Sequence, residues 1–345
     1  MDLHIEEYVD LGKDNGKGNL LGIEPYLLAT DYATAAAFES KLGGYLEEAK
    51  KKGWLNEKTV VIYPEYIGAW LAFNRERESA LKAPTLKRAM LTLVFDHLLT
   101  FLWYFITSKE KGRLEAALFR TRVQAIVDGY NSTFSNLARK YKVTIVGAST
   151  VLPAPQVVDG RVVAGKGLLY NISALFGPDG RAYPALTHKV YPTKSELPFT
   201  QPAPVTDLPA YDTPAGKLAT LICADSWFPD CYAQLKKLGV EIIAVPSGGG
   251  DPKEWTAPWG GYDGWPPPKD VDTGDIGVLT EGQAWKKYAL AGRIHESNAR
   301  YGSNVFTRGQ LWDQELGAGR ATLIDRNQLL REKMLPGATI INLWL

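Results

Sequence analysis

KLATLICADSWFPDCYAQLKKLGVEIIAVPSGGG, residues 217–250, holds a strand, a turn that carries a cysteine, a helix and a second strand. Leu218–Ile222 is apolar but for Thr220, as expected of a strand covered on both faces. Pro229 suits the first turn of a helix, and Gly239 is the residue that most often closes one. Ile242–Pro246 is apolar again and runs into the glycines 248–250. Cys223 thus falls between a buried strand and a proline-started helix. A nucleophile at such a turn stands at a sheet edge, near backbone N–H groups that can hold an oxyanion. A packed core cysteine is the commoner use of the residue, and Cys223 by itself does not decide between the two. Cys231, inside the helix, reads as structural.

The same alternation extends outward. NLLGIEPYLL (19–28) and TVVIYPEY (59–66) read as strands on either side of an Ala/Glu/Lys-rich helix over about 31–52, closed by Gly53. An apolar helix over 85–107 is followed by a basic turn at 109–113 and a helical stretch from Leu114 to about Tyr141. KVTIVGAST (142–150) and LLYNISALFG (168–177) are strands separated by a Pro/Val/Gly connector, and Pro178-Asp179-Gly180 marks a turn. Residues 251–280, rich in Trp, Pro, Gly and Asp, read as an ordered irregular loop. A helix over about 281–300 and strands near 303–308, 320–326 and 337–345 complete the chain. Near-continuous Val/Ile/Leu strands alternating with helices mean sheets covered by helices, in the α/β or layered α+β class. Residues 1–18 read as a flexible lead-in, and 19–345 as a single domain with an apolar helical insertion at about 85–113, since no Pro/Ser-rich linker divides them.

Composition narrows the function classes. The chain has 345 residues, with 39 Lys+Arg against 38 Asp+Glu, so its net charge of +1 gives no reason to expect nucleic acid as a partner. Two cysteines form no disulfide framework, and the four histidines show no metal-ligand spacing. The acidic opening MDLHIEEYVD lacks the order of a signal peptide, so the expected compartment is the cytoplasm.

Three further residues matter only together with Cys223. Glu65 ends an apolar strand, an unusual place for a carboxylate. Lys189 lies in LTHKVYPT (186–193), and Glu196 follows it by seven positions. Singly, each reads as a turn residue or a solvated charge. Together, VVIYPEYIGAW (60–70), THKVYPTKSE (187–196) and LATLICADSWFPDCY (218–232) resemble the nitrilase (carbon–nitrogen hydrolase) superfamily in residue type, order and secondary structure. YNISALFGPDG (170–180), VEIIAVPSGGG (240–250), GRIHESNARYGSNVF (292–306) and RATLIDRNQ (320–328) extend the resemblance over about residues 19–330.

The resemblance implies a four-layer α-β-β-α sandwich and a Glu-Lys-Cys triad. Glu65 is then the general base, Lys189 the cationic stabiliser, Cys223 the nucleophile and Glu196 a second, positioning glutamate. It puts the Ala224 N–H at the oxyanion and Tyr66, Trp227 and Ser247 around the substrate. It requires no cofactor and no metal, and it implies a homo-oligomer acting on a small amide or nitrile. Ala224-Asp225 after the cysteine is similar to the amidase and carbamoylase branches, whereas nitrilases tend to carry Trp-Glu-His there. Amide hydrolysis is therefore expected ahead of nitrile hydrolysis or N-acyl transfer from the same acyl-enzyme.

TLKRAMLTLVFDHLLTFLWYFIT (85–107) departs from that pattern. Asp96 near its middle disfavours a spanning helix, and Thr92, Asp96, Thr100 and Tyr104 form a narrow polar seam on an otherwise apolar wheel. Three coverings are open: burial in the core or a subunit interface, a membrane surface met peripherally, or a lid over the active site.

Overall fold

Asn19–Glu24, Thr59–Ile62 and Thr144–Val146 run parallel, side by side, each paired to the next. They form the centre of an eight-stranded mixed sheet in the computed structural model, which describes residues 2–326, 328–333 and 335–345. Ala338–Trp344 and Ile5–Leu11 extend the sheet beyond Asn19–Glu24, and Leu169–Phe176 and Ala182–His188 extend it on the other side. A second, six-stranded sheet has Gly216–Thr220, Ile242–Ser247 and Tyr301–Phe306 as its parallel centre.

Side-chain alternation along the strands sets the layers. Val60, Ile62 and Val146 of the first sheet meet Leu218, Ile242 and Ala244 of the second in one buried cluster. The alternate residues, Val61 and Ile145, face the helices Ala35–Lys51 and Val123–Tyr141 through Leu42, Leu46, Ile126 and Phe134. On the far side Leu221, Ile243 and Val245 pack under the helices Pro229–Leu238 and Glu281–Tyr288. The result is the expected α-β-β-α sandwich. The sheets approach closely at Gly22, where a Cβ would stand 2.9 Å from Val305 Cγ1.

Several boundaries differ from the sequence reading. Residues 1–18, expected to be a loose lead-in, contain the strand Ile5–Leu11, paired parallel with Ala338–Trp344. Its alternation is interrupted by Glu6, Glu7 and Asp10, which masked it. The connector 151–167 contains the small hairpin Gln156–Val158/Arg161–Val163. The helix expected over 281–300 stops at Tyr288 and continues only as short turns.

The largest difference concerns 85–107. It is two helices, Leu86–Asp96 and Leu98–Thr107, bent by 99° at His97. The bend is tied to the body by charge: Asp96 pairs with Arg77 at 3.1 Å, and Glu76 takes both His97 at 2.8 Å and Arg122 at 2.8 Å. Of the coverings left open, burial in this chain's own core is slight. Only Ala89, Leu93 and Phe101 are buried, while Leu99 is 84% exposed, Ile106 73%, Phe95 71% and Trp103 65%. No single helix among the described residues is long and apolar enough to cross a membrane.

Candidate active site

Four strand ends converge where the two sheets face each other. Thr59–Ile62 delivers Glu65, Gly216–Thr220 delivers Cys223, Ile242–Ser247 delivers Gly248, and Ala182–His188 delivers Lys189. The first three are the carboxyl ends of parallel strands, where open α/β sheets place their ligands. One backbone hydrogen bond joins the sheets here, from Glu65 N–H to the Ser247 carbonyl at 3.3 Å.

Lys189 is buried between two carboxylates, with Nζ 2.7 Å from Glu65 Oε1 and 2.6 Å from Glu196 Oε2. Asn171 Nδ2 bridges the same pair, donating to Glu65 Oε1 at 3.0 Å and to Glu196 Oε1 at 2.9 Å. Gly248 N–H donates to Glu65 Oε2 at 3.1 Å. Glu196 also accepts from the Tyr66 hydroxyl at 2.6 Å and from Thr193 N–H at 2.8 Å. The two carboxyls titrate apart. Burial opposes ionisation of Glu196, but Lys189 and the other donors outweigh it and hold its pKa below the usual range. Burial lifts Glu65 above its usual value, with Lys189 pulling down and the Glu196 charge adding to the lift. Burial also disfavours the ammonium of Lys189, but Glu196 and Glu65 overcome it and hold the group well above its usual pKa.

Cys223 occupies left-handed backbone, φ 50°, at the start of the short turn Cys223–Trp227. A non-glycine residue in that region is strained, and such strain is found where a side chain must be presented at a fixed angle. Its thiol faces Glu65; burial, then the negative charge of Glu65, push its pKa far up, so the resting group is the neutral thiol. Asp225, two residues on, is fully buried and accepts N–H groups from Val190 at 3.0 Å, Tyr191 at 2.8 Å and Ile222 at 3.1 Å. It locks the backbone after Lys189 to the backbone before Cys223.

Cys223 lines a cavity of about 500 Å³, with Ala224 and Trp227 beside it. Three larger concavities, of about 700 Å³ around Glu76 and Arg122, about 670 Å³ around Asp159 and Arg181 and about 550 Å³ around Lys58 and Glu241, contain none of these residues. Of the residues expected around substrate, Tyr66 and Ser247 lie behind the cavity rather than in its lining. The Tyr66 hydroxyl is committed to Glu196, and buried Ser247 accepts from Asn304 Nδ2 at 2.8 Å. The sequence reading did not single out Asn171, although an asparagine amid the apolar run LLYNISALF was the available signal. It likewise missed Gly248 and the part that Asp225 plays. Among the described residues no group of three or more His, Cys, Asp or Glu side chains is placed to hold a metal ion.

Residues 104–262 match the sequence model of the family described as Carbon-nitrogen hydrolase. The match includes Lys189, Glu196 and Cys223 but not Glu65, which geometry alone adds. The chain is 30% identical over 125 residues to "Probable hydrolase YhcX" of Bacillus subtilis, 36% of this chain and 22% of that protein. It is 32% identical over 87 residues to "Nitrilase 2" of Arabidopsis thaliana, 25% of each. The matches thus span about a quarter or less of those relatives' length. Among solved structures, a nitrilase-superfamily amidase of Nesterenkonia superposes with a TM-score of 0.54 at 13% identity, covering 96% of this chain and 93% of that one. A carbon–nitrogen hydrolase of Helicobacter pylori superposes with a TM-score of 0.55 at 16% identity, covering 93% and 88%. At such identities the likeness concerns the fold.

Proposed function

We propose that this chain, which has the nitrilase fold and matches the carbon-nitrogen hydrolase family model over residues 104–262, is a member of that superfamily and hydrolyses a non-peptide amide through an acyl-thioester on Cys223. The observation that carries the proposal is the strained Cys223, which faces Glu65 at the wall of a cavity with Lys189 held between two carboxylates.

Glu65, whose pKa burial raises against the pull of Lys189, accepts the thiol proton in its carboxylate form as Cys223 Sγ attacks the amide carbonyl. An ammonium has three N–H donors, of which Lys189 gives two to Glu65 and Glu196. The third, with the Ala224 N–H, is available to the oxyanion of the tetrahedral adduct. The C–N bond then breaks, and the amine leaves with the proton that Glu65 took. Water, losing a proton to Glu65, attacks the thioester; the carboxylic acid departs and Cys223 regains its proton. Glu196, ionised throughout, keeps Lys189 in place.

Amide chemistry is favoured over nitrile chemistry by Ala224-Asp225 after the cysteine. A panel of amide and nitrile pairs sharing one acyl group checks this. The expected result is a kcat/KM about tenfold or more in favour of each amide, with an acyl adduct on Cys223 in the intact mass. A consistent preference for nitriles reverses the assignment, and acyl transfer to an added amine in place of hydrolysis makes the protein an N-acyltransferase.

A further inference from the structure

The cavity at Cys223 is asymmetric in composition. Its lining includes Trp227, Trp259 and Trp285, with ring centroids 5.7 Å apart for Trp227–Trp259 and 4.9 Å for Trp227–Trp285. A fourth ring, Trp255, lies against the first turn of Glu281–Tyr288 because Gly282 has no Cβ; one would stand 2.3 Å from the indole nitrogen. Three carboxylates, Glu254, Asp263 and Glu281, share the lining, and no lysine, arginine or histidine does. Behind it, the Glu65, Lys189 and Glu196 charges sum to −1 when all are ionised. A chain with balanced charge overall therefore has a cavity that is negative and aromatic.

We propose that the amide substrate carries a cationic group, an ammonium or guanidinium, seated against the tryptophan wall beside Glu281; this rests on the reading of Cys223 as the nucleophile of an amide hydrolase. Aromatic faces attract cations, more strongly when the site excludes water, and carboxylates in the same cavity add directly to that attraction. They oppose an anionic substrate by the same argument. The acids do not stand alone, because the nucleophile that must meet the substrate lines the same cavity. Burial pushes the Glu281 carboxyl up to about 7, against a hydrogen bond from Trp285, with the charges of Glu254 and Asp263 adding to the rise. No cationic partner of that carboxylate is seen among the described residues, and a bound cation would supply one.

The test uses hexanamide, its ω-amino derivative and the monoamide of adipic acid, which match in length and differ in charge. The ω-amino amide is expected to exceed hexanamide in kcat/KM at least about tenfold, and the acidic amide to be poorest. Glu281→Gln should remove most of the ratio between the cationic and neutral amides. Equal or better use of neutral and acidic amides, with acyl adducts still forming on Cys223, overturns the cation proposal and leaves the amidase reading intact. No turnover and no adduct with any of the three overturns the amidase reading itself.

The helical hairpin independently carries a second inference. Phe95, Leu99, Trp103 and Ile106 are its most exposed apolar side chains, and large apolar groups exposed together on one element mark an interaction surface. None of 86–107 lines the cavity at Cys223, so the geometry gives the lid reading no support. Lys87 and Arg88 begin the first helix, and Lys109, Lys111 and Arg113 follow the second. All five are exposed, and none has an ion-pair partner among the described residues. We infer that this face docks on an anionic bilayer surface, apolar side chains inserted and cations at the headgroups. The protein should co-sediment with phosphatidylcholine vesicles containing phosphatidylserine and release at high salt. Lys109→Glu with Lys111→Glu should weaken binding at least about tenfold, and Leu99→Ser with Trp103→Ser, both at exposed positions, should abolish it. Failure to bind such vesicles overturns the inference, and a dimer mass reduced to a monomer by Leu99→Ser/Trp103→Ser assigns the face to a second copy.

Discussion

Replacing Cys223 by alanine is expected to lower amide turnover by about 10⁵–10⁶-fold, the scale seen when a catalytic nucleophile is removed, while the protein folds as before. The thiol is half-buried, and alanine at φ 50° is no more strained than cysteine. The thermal midpoint should therefore move by no more than about 4 °C. No acyl adduct should then form with any amide, since Cys231 is fully buried in the helix Pro229–Leu238. Retained turnover would remove Cys223 from the chemistry. A misfolded Cys223→Ala chain would instead assign the residue a packing role, and Cys223→Ser, which keeps shape and polarity, separates the two outcomes.

Lys189→Met should give the second-largest effect, and a double one. Activity falls by roughly 10²–10³-fold through loss of an oxyanion partner. Stability falls as well, because Glu65 and Glu196 are left buried with no cation between them; removing one partner of a buried ion pair costs about 3–5 kcal/mol. The pH dependence distinguishes this from a packing defect. With Lys189 gone, the pKa of the folded Glu65 rises further above its unfolded value, so the folded state binds the extra proton. The variant must then gain stability as pH falls from 8 towards 5. A mere cavity would show no such trend. Glu65→Gln keeps the hydrogen bonds but not the base. It should lower kcat at least about 10²-fold with far less loss of stability, and a loss confined to KM in both variants would make the pair a binding element.

Much of this was legible because the chemistry lies at the ends of apolar strands. Glu65 and Cys223 stand out where VVIYP and LATLI stop, and period and caps marked those strands and the helix after Pro229. Lys189 and Glu196 were legible only through resemblance, since the strand Ala182–His188 half faces solvent and offers no continuous apolar run. The hairpin was misread for a different reason. Its hydrophobic wheel is continuous across His97, and the bend comes from partners distant in sequence, Glu76, Arg77 and Arg122, which no local pattern announces. Tyr66 and Ser247 were assigned to substrate by adjacency to catalytic positions, but side chains alternate faces at a strand end, and theirs point away from the cavity.

The reactive pair comes from different sheets: residue 65 from one, residue 223 from the other, with the hydrogen bond from Glu65 N–H to Ser247 O as the pin between them. On the proposed chemistry, acid–base competence depends on docking within a single chain, since residue 65 meets the thiol only where the two sheets meet. An incompletely assembled molecule would then hold an unactivated cysteine, and the reaction rate would gauge how the two halves are aligned, sensitive to substitutions along the plane between them that never touch substrate.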